Sequence, residues 1–182
     1  MDNSAPHTDR YQYAFSELAT AEVVKYLGII PSRWGRMPPL SRALVVEAGR
    51  TVVEHGLLGP GEKFLDGGKR VGLIGATATG SLATDLDFAA TLLAGPNLAS
   101  PALFGYTLPN IPLSEAANHY GLTGPVYAIF TAESPLAAAV EEAGRWLANQ
   151  PELALMLACG FDSQAGPDHA THLAITFTVV SR

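Results

Sequence analysis

The chain has 182 residues, 48% of them hydrophobic and 15% charged, and its formal net charge at pH 7 is −6. This length and composition predict a packed globular domain, and the acidic balance argues against nucleic acid as the main ligand. The single cysteine, Cys159, excludes an internal disulfide and a cysteine-cluster metal site. The polar N-terminus does not resemble a signal peptide and the apolar stretches are too broken to span a membrane, so we expect a cytoplasmic protein.

The hydrophobic pattern predicts strands that alternate with helices, which is typical of a layered α/β domain. A first strand is possible near residues 11–18, in an otherwise ambiguous N-terminal stretch, and a loop follows over 31–39. Apolar residues at spacings of three and four predict a helix that starts at Leu40 and is ended by Gly56. Residues 59–69 are predicted as a turn-rich surface loop.

The later elements are predicted from apolar runs, turn residues and helical periodicity. The predicted strands are 71–75, 126–130, 153–158 and 173–180, the last of them antiparallel to the one before. The predicted helices are 81–93, 111–120 and 136–148, and the turns and loops are 76–80, 101–109, 131–135 and 162–168. The helix over 81–93 places five apolar residues on one side: Leu82, Leu86, Ala89, Ala90 and Leu93.

Three local patterns are only weak evidence for a functional site. His169 and His172 are three residues apart without a third metal ligand, and we interpret them as a surface pair. The glycines around the strand 71–75 do not have the spacing of a nucleotide-binding loop. Ser134 follows a strand and precedes a helix, as a hydrolase nucleophile would, but its neighbours lack the G-x-S-x-G pattern. We expect no metal and no cofactor.

Basic residues are concentrated in the first part of the chain. Residues 1–70 hold nine Lys and Arg against eight Asp and Glu, whereas residues 71–182 hold two against nine. Two interpretations remain open, a solvated surface and a docking face for an acidic partner. The candidate docking residues are Arg33, Arg36, Arg42, Lys69 and Arg70.

One segment carries a family resemblance. Residues 121–134 are GLTGPVYAIFTAES, which resembles the GLxGPxxxxxTAC run of the β-ketoacyl synthases of the thiolase superfamily. The resemblance extends in order through VGLIGATATG (71–80), the SP and PN pairs that bound 100–110, and MLACGFD (156–162). We predict a flexible tail over 1–10 and a β-ketoacyl-synthase-like N-terminal domain over 11–182. The implied fold is a single α/β thiolase-like half-domain, with a mixed sheet of about five strands covered by helices.

The resemblance also marks where this chain departs from the family. Glu133 occupies the position of the family's nucleophilic cysteine, the last residue of its TAC motif, and a carboxylate cannot form the acyl thioester of a ketosynthase. The family's two catalytic histidines belong to the second half of its fold, and His169 and His172 are not in matching contexts. We therefore expect no condensation reaction by this chain alone.

Three roles remain open for Glu133. It could cap the following helix, whose dipole and free N–H groups favour negative charge. The resemblance implies a second role in a pseudo-active site, because related non-condensing members carry a glutamine there that imitates a bound carboxylate or acyl group. A general base in a small acyl-thioester-handling enzyme or decarboxylase is the third, although no second titratable group is near Glu133 in the sequence.

The resemblance further implies an interface and a function. Strand 126–130, with Tyr127 and Ile129, corresponds to the strand that pairs across the family's dimer axis, so we predict a dimer with itself or with a full-length ketosynthase. The acidic partner of the basic residues would be an acyl carrier protein. The predicted function is a non-catalytic subunit of the chain-length-factor type in a bacterial fatty-acid-like, polyketide or aryl polyene pathway. A homodimeric structural protein that lost the chemistry is the alternative.

Overall fold

The structure is a computed structural model, and it describes residues 11–14, 18–93, 95–165 and 171–182. The strands are β1 (Tyr11–Ala14), β2 (Arg70–Thr77), β3 (Val126–Phe130), β4 (Leu153–Ala165) and β5 (Thr171–Val180). The α-helices are α1 (Thr20–Leu27), α2 (Pro39–Glu54), α3 (Leu82–Leu93), α4 (Pro101–Tyr106), α5 (Asn110–Tyr120) and α6 (Pro135–Asn149). Short 3-10 helices lie at Trp34–Arg36 and Pro96–Leu98.

The five strands form one mixed sheet in the order β1-β5-β4-β2-β3. β2 runs parallel to both β3 and β4, whereas β5 is antiparallel to β4 and to β1. This confirms the predicted α/β half-domain with a mixed sheet and the antiparallel final strand. Within the described residues β3 pairs with β2 alone, so β3 forms one edge of the sheet.

Helices cover both faces of the sheet. On one face α1, α2 and α5 pack over the larger core, in which Leu44, Tyr120 and Phe161 are buried. On the other face α6 packs over a smaller core that includes Ile74 and Met156. The result is a three-layer α/β/α arrangement, with the carboxyl ends of the parallel strands β2, β3 and β4 at one end of the sheet.

The N-terminal region holds one helix that the sequence pattern did not predict. The strand expected near residues 11–18 is observed as β1, and α1 follows it. The tail predicted over 1–10 lies outside the described residues, as does His169. None of the helices in the described part of the chain combines the length and apolarity that crossing a bilayer requires.

The segment 101–109, predicted as a loop, contains the helix α4. Pro101 takes the first helical position, where its missing N–H costs nothing, and the Ser100 hydroxyl accepts a hydrogen bond of 3.3 Å from the Leu103 N–H. Phe104 then packs against Phe88 of α3, with ring centroids 5.5 Å apart. The loop prediction was wrong because a proline marks the start of a helix as readily as a loop.

Strand β4 is longer than predicted. The apolar run ends near residue 158 and a loop was expected over 162–168, but the strand continues to Ala165. The added part pairs antiparallel with β5, from Phe161 opposite Ile175 to Ala165 opposite Thr171. Polar residues therefore end the apolar run without ending the strand, because backbone pairing with β5 stabilises the extension.

Candidate functional site

The turn from β3 to α6 places Glu133 and Ser134 beyond the carboxyl end of the parallel strands. The Thr131 N–H donates to the Thr77 carbonyl of β2 over 3.0 Å, so the turn leaves the sheet beside β2. The Thr131 hydroxyl donates to the Glu133 carbonyl over 2.8 Å and closes the turn. Backbone groups thus build the turn and leave the Glu133 side chain outside it.

Ser134, the residue before α6, has a strained backbone conformation. It has a left-handed backbone (φ 46°, ψ 58°), and no other non-glycine residue in the described ranges has a positive φ. That region costs an L-residue about 1–2 kcal/mol. Pro135 takes the first helical position, and a Cβ on Gly160 of β4 would lie only 2.9 Å from the Leu136 nitrogen. Close seating of α6 on β4 therefore offsets the strain.

Glu133 is exposed and precedes the N-cap residue of α6, which is Ser134. Its carboxylate has no hydrogen-bond or ion-pair partner in the part of the chain that the structure describes, and neither residue makes a side-chain capping bond. The single thiol, Cys159, is fully buried in β4, and that burial raises its pKa. Neither group is therefore an activated nucleophile.

Asp162 joins the ends of β2 and β4. Its Oδ1 atom accepts hydrogen bonds from the Thr77 hydroxyl (2.6 Å), the Ala78 N–H (3.0 Å), and the N–H (2.7 Å) and hydroxyl (2.9 Å) of Thr79. The Thr77 hydroxyl in turn accepts from the Gly80 N–H over 2.7 Å. One carboxylate oxygen therefore fixes the turn that leads into α3.

Sequence reasoning missed this carboxylate, although a signal for it was present. Polar residues follow two predicted strands, at 77–79 and at Asp162, and the carboxyl ends of neighbouring parallel strands lie at the same end of a sheet. These polar residues meet because β2 and β4 are neighbours in the sheet, and the local sequence does not show which strands are neighbours.

Tyr127 of the edge strand is held by α6. Its hydroxyl donates to Glu142 and accepts from the Trp146 indole N–H over 2.7 Å, and Arg145 pairs with Glu142 over 3.0 Å. The pKa of Tyr127 is raised mainly by burial and, to a smaller extent, by the hydrogen bond with Glu142. Ile129 packs on the same side, against the smaller core. These two candidate interface residues therefore present their side chains to α6, and the strand's backbone faces the open edge.

Some of the candidate basic residues already form ion pairs within the chain, and others are exposed. Arg33 donates to Glu115 over 2.7 Å and to the Tyr106 hydroxyl over 3.4 Å. Arg70 pairs with Glu152 over 2.6 Å, at the amino end of β2 and so at the opposite end from Glu133. Arg36 and Lys69 are exposed, whereas Arg42 is half-buried near the start of α2.

A cavity of about 210 Å³ lies beside Arg33, and the sequence did not predict it. Its lining is Pro31, Ser32, Arg33, Met37, Val45, Lys63, Glu115, Asn118 and His119. Burial lowers the pKa of His119, which favours the neutral imidazole. In the ranges that the structure describes, no three His, Cys, Asp or Glu side chains are grouped to hold a metal ion.

Comparison with known proteins identifies the family. The family model for the β-ketoacyl synthase N-terminal domain matches residues 11–178. None of the curated proteins compared with the chain matches it.

The solved structures that are similar to the chain agree in fold. The ishigamide ketosynthase/chain length factor is 16% identical, with a TM-score of 0.65 over 88% of this chain and 47% of that one. A β-ketoacyl synthase from Burkholderia phymatum STM815 is 15% identical, with a TM-score of 0.60 over 84% of this chain and 45% of that one. A ketosynthase in complex with its chain length factor from Xenorhabdus doucetiae is 11% identical, with a TM-score of 0.53 over 78% and 57%.

The chain spans about half the length of these solved structures. The family match extends over residues 11–178, which is most of the chain. The chain therefore belongs to the β-ketoacyl synthase family, through that family's N-terminal domain.

Proposed function

We propose that this chain is a non-catalytic subunit of the chain-length-factor type that pairs with a ketosynthase. The observation that carries the proposal is Glu133, which is exposed and stands where the resemblance places the family's cysteine. A carboxylate at this turn cannot take up an acyl chain as a thioester. The turn lacks a thiol nucleophile, which supports a role in assembly over one in condensation.

The open edge of β3 supports pairing with another protein. The Ala128 N–H donates to the Asn110 side chain over 2.7 Å, so it points away from β2. Because backbone groups of alternate residues in a strand point to the same edge, Val126 and Phe130 also present theirs to the open side. Phe130 adds an apolar ring that is 67% exposed. Asn110 occupies the Ala128 N–H, and the backbone groups of Val126 and Phe130 on either side of it offer a template for a partner strand.

The proposal extends to an acyl carrier protein as the acidic partner of the basic residues. Arg36 and Lys69 are exposed and carry the electrostatic argument. Arg33 and Arg70 are partly neutralised by Glu115 and Glu152, so we expect them to contribute less. The pathway we propose is fatty-acid-like, polyketide or aryl polyene synthesis, on the strength of the family resemblance alone.

Co-expression with full-length ketosynthases of the source organism tests the pairing. A tagged chain should co-purify with one of them as a 1:1 heterodimer, measured by light scattering after size exclusion. Phe130→Lys should weaken the complex, because a charge on the strand edge opposes pairing. Ile29→Lys is the matched control, since Ile29 is 70% exposed in the loop after α1. A stable homodimer that ignores every ketosynthase would contradict the proposal and support a structural protein.

Incubation with malonyl and acyl thioesters tests the absence of chemistry. We expect neither acylation of the chain, by intact-mass measurement, nor decarboxylation of the malonyl group. Turnover that disappears in Glu133→Gln would contradict the proposal and support an acyl-thioester-handling enzyme instead. Ser134→Ala is the matched control, because its hydroxyl makes no capping bond and its exposure is similar.

A further inference from the structure

Three parts of the chain form the cavity beside Arg33. The segment after α1 supplies Arg33, the loop before β2 supplies Lys63, and α5 supplies Glu115 and His119. Val45 of α2, which is fully buried, also lines the cavity. Among the described residues, the lining includes none of β3 or of the turn that follows it, so this cavity is a second candidate site.

A hydrogen-bonded group fixes the position of Arg33 at the cavity. The Glu115 Oε1 atom accepts from Arg33 over 2.7 Å and from the Tyr106 hydroxyl over 2.8 Å. Tyr106 is buried, and the Glu115 side chain is only 11% exposed, whereas that of Arg33 is 63% exposed. The guanidinium has five N–H donors, so those that do not bond to Glu115 or Tyr106 remain for a ligand. One side of the cavity is therefore preorganised.

Lys63 adds a positive charge to the cavity that no carboxylate compensates. Within the described ranges its ammonium makes no hydrogen bond or ion pair. The pKa of His119 is lowered mainly by burial and, to a smaller extent, by the charge of Lys63, although a hydrogen bond with the Leu27 backbone opposes this. His119 is therefore neutral at pH 7. Arg33 and Lys63 against Glu115 leave an excess of one positive charge, in a chain whose net charge is −6.

The rest of the lining combines hydrogen-bond donors with apolar side chains. Ser32 and Asn118 make no side-chain hydrogen bond to another described residue and can donate to a ligand. Met37 and Val45, which are 6% and 0% exposed, present apolar surface together with Pro31. The volume of about 210 Å³ is below the roughly 300–1,000 Å³ of sites for drug-sized ligands. The lining thus matches a small molecule with one anionic end and a short apolar body.

We propose that this cavity binds a small organic carboxylate. The carboxylate contacts Lys63 and the remaining N–H groups of Arg33, and the apolar body packs on Met37 and Val45. A free acid fits better than an acidic side chain of another protein, because the one or two methylene groups of Asp or Glu would leave the buried apolar lining uncovered. The inference goes beyond the proposed function, since it involves neither β3 nor a protein partner.

Isothermal titration calorimetry of the full chain with hexanoate and benzoate tests the site. We expect at least one of these acids to bind with a Kd of about 1 mM or lower. Acetate and inorganic phosphate should bind about tenfold more weakly or worse, because they carry the charge without the apolar body. The neutral analogue 1-hexanol should also bind about tenfold more weakly, because it lacks the charge.

Two lysine variants locate the binding site. Lys63→Gln should weaken binding of the acid about tenfold, whereas Lys69→Gln, which changes an exposed lysine of the same loop outside the lining, should bind like the parent. Equal thermal midpoints establish that both variants are folded. Binding that Lys63→Gln leaves unchanged, or no binding of either acid at 10 mM, would overturn the inference. An acyl carrier protein that binds through Lys63 when neither acid binds would assign the cavity to protein docking and would also overturn it.

Discussion

Helices α2 and α3 have similar apolar periodicity and opposite surroundings. α2 has 16 residues, ten of them buried, and its apolar side packs into the larger core. α3 has 12 residues, two of them buried, and its apolar side meets solvent. A helical pattern therefore identifies an apolar side but does not show whether the core covers it. Packing along a whole side stabilises α2, whereas α3 is held at Ala83 and Thr84 and by Phe88 against Phe104.

The largest expected effect comes from truncating one leucine in each helix. Leu44→Ala in α2 removes a fully buried side chain and should lower the free energy of unfolding by about 2–5 kcal/mol. Leu93→Ala in α3 removes a side chain that is 90% exposed and should change it by no more than about 0.5 kcal/mol. Urea denaturation measures both. Equal losses would mean that the α3 side is covered in the folded chain, which would remove the contrast.

The next effect concerns the carboxylate that fixes the start of α3. Asp162→Ala leaves the Thr77 and Thr79 groups without their acceptor and should cost about 2–3 kcal/mol. Asp162→Asn keeps one acceptor oxygen and should cost less. Hydrogen exchange should show faster exchange in α3 than in α2 for Asp162→Ala. Equal acceleration in both helices would indicate that the carboxylate stabilises the whole fold and does not act locally.

The smallest effect concerns the buried carboxylate of α2. Burial raises the pKa of Glu47, more than the neighbouring Arg50 lowers it. Because the folded-state pKa lies above the unfolded one, stability from protonated Glu47 is present at acidic pH and is lost as the pH rises above about 4.5. Glu47→Gln should therefore gain stability over the parent as the pH increases toward 7.

Thermal unfolding between pH 4 and pH 8 measures this gain. Leu93→Ala changes no titratable group, so its difference from the parent should not vary with pH. A Glu47→Gln variant that loses stability toward pH 7 would show that the ion pair with Arg50, 3.3 Å long, outweighs the cost of burial.

Much of the fold could be predicted from local pattern. Strands β2 and β3 are short apolar runs bounded by glycine, proline or threonine, and Gly121 ends α5 in the left-handed conformation that favours glycine. Helix α4 and the second part of β4 were missed, because a cap at Ser100 and pairing with β5 decide them. Both depend on contacts that periodicity does not contain.

The same distinction between local pattern and spatial contact applies to the candidate site. The position of Glu133 at a strand-to-helix turn follows from the motif around Thr131 and from Pro135. The role of Asp162 depends on β2 and β4 being neighbours. The exposure of α3 depends on which elements pack against it, and the sequence pattern does not show this. The polar residues that follow two strands are visible in the sequence, but only the strand order shows that they meet.

Hydrogen exchange of the chain with and without its co-purified ketosynthase tests the proposed pairing through β3. We predict that protection on complex formation concentrates in residues 126–130 and leaves α2 unchanged, because α2 is already buried. Unchanged exchange in residues 126–130 would contradict the proposed function.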